Sequence, residues 1–239
     1  MTAFRCGTWM EDIEGLLFSR TVVVNNVGMK QLLVYADSLS WGIIPLTRNR
    51  LRFDQRWPGV LDIGLRAQGK DVRVIEDCLN GRRTIYDDPV KDGRNGLLGL
   101  QQRIELNSPL AMVLLMLGTN DFQINHHNDA SDAAYGLQKL IESIRSAPIE
   151  PGMPIPEILV IAPPPIQSPQ GDISQKFKGA DKKSVGLAAA YEELSRRENC
   201  YFFDAGTVTS SSRLDGVHLD QDQHKTLGMS LVSYLQNLL

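Results

Sequence analysis

No cysteine pair in this sequence is spaced to close a disulfide framework or to hold zinc. Only three cysteines occur among 239 residues, Cys6, Cys78 and Cys200, odd in number and with no CxxC. A cysteine-stapled scaffold is therefore excluded, and a reducing cytoplasm is the expected compartment. Long apolar runs are missing as well: none approaches the ~18 residues of a membrane-spanning helix. Near the N-terminus, Glu11, Asp12, Glu14 and Arg20 interrupt any stretch that could serve as a secretory signal. Excess positive charge is also absent, since 25 Lys and Arg face 28 Asp and Glu for a net charge of −3. With no basic run either, nucleic acid and anionic membranes are not expected partners. Neither a P-loop nor GxGxxG follows an apolar run, which leaves nucleotide binding unsupported.

What is present is a regular alternation of strand and helix patterns. QLLVYA (31–36), VRVIED (72–77), LAMVLLML (110–117), EILVIA (157–162) and CYFF (200–203) read as five buried strands. Between them, helical patterns cover 56–69, 97–105, 129–147 and 181–199, and a last helix follows Asp220 as its cap. Strands separated by helices predict a three-layer α/β/α domain around a central five-stranded parallel sheet. We place this one domain at 29–239 and read residues 1–28 as an appendage.

Ligands of such sheets bind beyond the carboxyl ends of the strands, and the unusual polar residues fall there. After the first strand comes ADSLSWG, with Ser38 either capping a helix or acting as a nucleophile. The second is followed by Gly81, whose backbone N–H a ligand can approach closely, and the third by GTND with Asn120. DGVH, after the fifth, carries Asp215 and His218. A serine hydroxyl attacks only when a base takes its proton, and a histidine serves when a carboxylate holds its other nitrogen. Ser38 N–H, Gly81 N–H and the Asn120 amide would then receive the oxyanion, each donor being worth ~3–4 kcal/mol of barrier.

These residues, in this order, resemble the SGNH (GDSL-type) hydrolases, serine esterases and acyltransferases on a flavodoxin-like sheet. The resemblance runs from about Lys30 to Leu239 through ADSLS, LNGRRT, GTND and DGVH. Further landmarks, DSLSWG, RWPGVL, VIEDCLNGRRT, LMLGTND, APPP and FFDAG, are similar to the arylesterase and oligomeric-acyltransferase branch. The resemblance implies Ser38, Asp215 and His218 as catalytic residues, an oxyanion hole of Ser38, Gly81 and Asn120, and no metal or cofactor. It further implies a small ester as substrate, a homo-oligomer, and acyl transfer to alcohols beside hydrolysis. The same machinery would equally serve a carbohydrate acetylesterase, a thioesterase or a lysophospholipase, and a non-catalytic binding module is the rival from another class. One departure is Ala36, where the family has glycine. Positive φ there would strain an alanine, whereas strand angles would leave only a methyl group to pack.

Other residues have structural readings. Asp37 is expected to brace the turn as a buried acceptor, and Arg82, Arg83, Asp87 and Asp88 to form ion pairs. HHND (126–129) reads as a solvated loop or pocket rim, and His224 as a surface residue of the last helix. Trp41 lines the pocket or the core. The segment 163–183 forms a pocket wall or a subunit contact.

Overall fold

A computed structural model describes residues 28–239 of the chain. The 1–28 appendage read from the sequence lies outside them, apart from Gly28. Five strands, β1 (Lys30–Ala36), β2 (Val72–Cys78), β3 (Met112–Met116), β4 (Glu157–Ala162) and β5 (Tyr201–Asp204), form one parallel sheet in the order β2-β1-β3-β4-β5. The apolar runs form strands because both faces of the sheet are covered. Leu32 through Ala36 and Met112 through Met116 are all buried.

The helices are α1 (Ser38–Trp41), α2 (Trp57–Ala67), α3 (Leu100–Asn107), α4 (Ala130–Arg145), α5 (Ala180–Lys183), α6 (Leu187–Arg197) and α7 (Gln221–Leu235). In the outer layers, α2 packs on α7, and α4 on α3 and α6. One expectation needs correction. The helix read over 181–199 is two helices, because Gly186 adopts φ +87° as the N-cap of α6. A left-handed residue cannot continue a right-handed helix.

Chain direction across the sheet reverses between β1 and β3, the place where such folds leave a crevice. The register sets the heights of the loops there: Ala36, the last residue of β1, lies level with Cys78 of β2 and Met116 of β3. Ser38, Gly81 and Asn120 each follow within a few residues of those levels, so three separate loops meet above the same crevice.

Candidate active site

Ser38 is the first residue of α1, and its cap is Asp37, whose Oδ1 accepts the Leu39 N–H at 2.9 Å. Capping by the preceding aspartate frees the serine hydroxyl. Ala36 has ordinary strand geometry, absent from the residues with positive φ, and its methyl group is buried. Its carbonyl accepts from Leu79 N at 2.9 Å and from Arg82 at 3.0 Å. The alanine therefore costs packing space and no backbone strain.

His218 comes from the loop between β5 and α7. Its Nε2 lies 3.1 Å from Ser38 Oγ and its Nδ1 2.7 Å from Asp215 Oδ2. The other Asp215 oxygen accepts the backbone N–H groups of Val217 and His218, each at 2.9 Å. One carboxylate thus shapes the loop and holds the ring. Gly216 makes this possible: at φ +78° the chain turns back, and a Cβ there would sit 2.4 Å from the Ser168 carbonyl. That neighbouring loop braces the turn, as Gln167 N donates to Gly216 O at 2.8 Å and Gln170 N to Asp215 O at 3.0 Å. Burial alone would push the Asp215 carboxyl up. The hydrogen bond and charge of His218, with the two N–H donors, outweigh it and hold Asp215 below its ordinary 3.8.

Gly81, at φ +83°, and Asn120 line the same cavity as Ser38. Among the described residues neither the Ser38 nor the Gly81 N–H donates to a backbone carbonyl outside regular elements. Asn120 is more constrained than the sequence suggests. Its Nδ2 donates to Asp37 Oδ2 at 2.9 Å and to the Arg82 carbonyl at 3.1 Å. Serving an oxyanion requires it to share or release one of these bonds, and the one to Arg82 is the longer.

Residues invisible to motif reading orient that amide. Arg83, fully buried and able only to donate, gives an N–H to Gln123 Oε1 at 2.6 Å. Gln123 must then present its NH₂ group, which reaches Asn120 Oδ1 at 2.6 Å. Asn120 is left with its own NH₂ facing Asp37 and the cavity. Burial raises the Asp37 carboxyl to about 6, against hydrogen bonds from Leu39 and Asn120 and the charges of His218 and Arg82. Asp121, held by Thr84 N at 2.9 Å and Thr84 Oγ1 at 2.5 Å, is raised by burial to about 7.

The remaining residues fall as follows. Arg83 pairs with Asp88 at 3.2 Å, Arg82 turns instead to Asp77 at 2.6 Å, and Asp87 bonds Asn95 at 3.3 Å. Trp41 does not line the Ser38 cavity; the Arg50 guanidinium stacks on it at 4.7 Å. From HHND, His126 bonds the Asp87 carbonyl at 3.1 Å and Asp129 caps α4. Ile173, Lys176 and Phe177 of the 163–183 segment wall the cavity. His224 is the second correction. It is fully buried on the face of α7 that carries Leu227, Leu231 and Leu235, with Nδ1 accepting the Trp57 N–H at 3.2 Å. Burial lowers its pKa to about 3. Helical spacing placed position 224 on the apolar face, and only the polarity of histidine suggested otherwise.

Comparison with known proteins gives the family. The profile of the GDSL-like lipase/acylhydrolase family matches residues 37–226. The chain belongs to that family. Three solved structures span 88% of it and all of their own length: the M. smegmatis aryl esterase in its inhibitor-bound form (33% identity, TM-score 0.83), Est24, a carbohydrate acetylesterase from Sinorhizobium meliloti (32%, 0.82), and a putative arylesterase from Agrobacterium tumefaciens (34%, 0.81). No functionally curated sequence matches. As a member of the GDSL-like family with these neighbours, the protein is a serine ester hydrolase. Among the described residues, no helix is long and apolar enough to cross a membrane, and no three His, Cys, Asp or Glu side chains group as metal ligands.

Proposed function

We propose that this esterase, with residues 29–239 as one catalytic domain, cleaves small, short-chain esters through an acyl-enzyme on Ser38. His218 takes the Ser38 proton as Oγ bonds to the ester carbonyl carbon, and returns it to the departing alcohol. Water, deprotonated by the same ring, then releases the acid and restores the serine. Asp215 holds the ring nitrogen that faces away from the serine, and Ser38 N–H, Gly81 N–H and Asn120 receive the oxyanion. The 3.1 Å approach of His218 Nε2 to Ser38 Oγ carries this reading. Short acyl chains are favoured because the cavity beside Ser38 is only ≈ 60 Å³.

Ser38→Ala should abolish hydrolysis of p-nitrophenyl acetate with the circular dichroism spectrum unchanged, and a fluorophosphonate should label the wild type alone. Full activity of the variant would reject the assignment. The likeness to Est24 favours a second reading, in which the acetyl group is removed from a sugar; a panel of acetylated sugars and aryl acetates separates the two. Acyl transfer to alcohols, self-association and a cytoplasmic location are part of the proposal. The resemblance to the oligomeric-acyltransferase branch supports the first two, and the sparse cysteines the third.

A further inference from the structure

The cavity that holds Ser38 and Gly81 is walled by three cations, Arg48, Lys91 and Lys176. They come from three different loops. Among the described residues none of them forms an ion pair. The one carboxylate on that wall, Asp88, is already engaged. Its Oδ2 faces Arg83 at 3.2 Å, and its Oδ1 accepts Val90 N at 3.0 Å and Lys91 N at 3.2 Å.

The arrangement is built into the loops. Arg48 stands at φ +63° in a turn closed by Ile44 N donating to Asn49 O at 2.9 Å and Thr47 Oγ1 to Ile44 O at 3.0 Å. Partial desolvation lowers the Lys176 ammonium below its ordinary 10.5 although the side chain is exposed, and the charges of Arg83, Arg48 and Lys91 press it further while Asp88 opposes them. An anion seated here would relieve that crowding.

Lys91 and Lys176 also line a wider groove of ≈ 470 Å³, together with the exposed apolar side chains of Val90 and Ile124. The space beside Ser38 continues into a pocket of ≈ 30 Å³ at His218 and Arg48 and, past Asp88, Lys91 and Lys176, into this groove, which is the roomier place for the larger part of an ester. We propose that the esters taken by this site carry an anionic group, carboxylate or phosphate, on their alcohol part, held between Lys91 and Lys176 with Arg48 beside them. This rests on the ester chemistry assigned to Ser38 above.

The test compares 4-acetoxybenzoate, 4-acetoxyphenyl phosphate and the neutral 4-acetoxybenzamide, with full-length enzyme and each rate corrected for hydroxide hydrolysis of the same ester. At low salt, kcat/KM for at least one anion should exceed the amide by about tenfold, the return expected from two rim ion pairs. The anion with the larger ratio names the group. The ratio should fall toward one in the Lys91→Gln, Lys176→Gln double variant and in about 0.5 M NaCl. A wild-type ratio of one or less for both anions, or a ratio the double variant leaves unchanged, overturns the inference. Calorimetric titration of Ser38→Ala with the same three esters reads the preference without turnover. Tighter anion binding by Ser38→Ala, when the wild type turns over none of the esters, keeps the anion site and rejects the ester chemistry. Equal binding of all three rejects the anion site.

Discussion

Gln123 donates to the Asn120 side-chain oxygen at 2.6 Å, and this bond decides which way the Asn120 amide faces. An unrestrained amide has two orientations, only one of which offers N–H groups to the cavity. Asn120→Ala should lower kcat by about 10²-fold with little change in KM, as for loss of one oxyanion donor. Gln123→Met, which keeps the volume and loses the bond, should lower kcat by about tenfold. A Gln123→Met enzyme with wild-type kcat would show that Asn120 is oriented by other contacts.

Asp215 acts on the loop and on the ring through different oxygens, so an amide can separate the two roles. In Asp215→Asn the side-chain oxygen still accepts from Val217 N and His218 N, while the NH₂ group faces His218 Nδ1. The ring must then carry its proton on Nε2, which cannot accept from serine. Turnover should fall about 10³–10⁴-fold with the thermal midpoint almost unchanged. A large drop in that midpoint with modest loss of turnover would reverse the assignment.

Two buried aspartates tie stability to pH. Asp121 and Asp37 are raised from 3.8 to about 7 and about 6 by burial. Between roughly pH 4 and 7 the folded chain therefore holds protons that the unfolded chain has released, and these groups favour unfolding as pH rises. Asp215, held low, works oppositely, and its contribution is lost only on acidification through its folded value. The Tm of Asp121→Asn, in which the amide can still bond Thr84, should gain on wild type as pH rises from about 5 to 7.5. A constant difference across that range would refute the linkage.

His224 caps α2 from a distance by accepting the Trp57 N–H. His224→Leu leaves that donor buried and unpaired, at a cost of about 1–2 kcal/mol. The Tm should fall by roughly 2–4 °C per kcal/mol, and His224→Asn should recover part of it. An equal loss in both variants would mean that packing, not the hydrogen bond, matters at this position.

The strands were readable because unbroken apolar runs of that length fit only a sheet covered on both faces. Ser38, Asp215 and His218 were readable as candidates because their loops follow strand ends. Gly186 is not legible as a helix break, since a glycine inside a helical pattern is usually tolerated and only its φ tells. The Arg83–Gln123–Asn120 chain was not readable either: each link depends on which atom of an amide faces which neighbour. The burial of His224 is legible only from helical phase, since its residue type points the other way.

Ser38 and His218 stand 180 residues apart in sequence, and they meet only because β5, at one edge of the sheet, lies against β4 and feeds the His218 loop back over the crevice. A refolding chain that has joined its first three strands would own a serine with nothing to activate it. Ester cleavage therefore cannot return after denaturation before β5 has joined the sheet, so its recovery sets a latest time for that step.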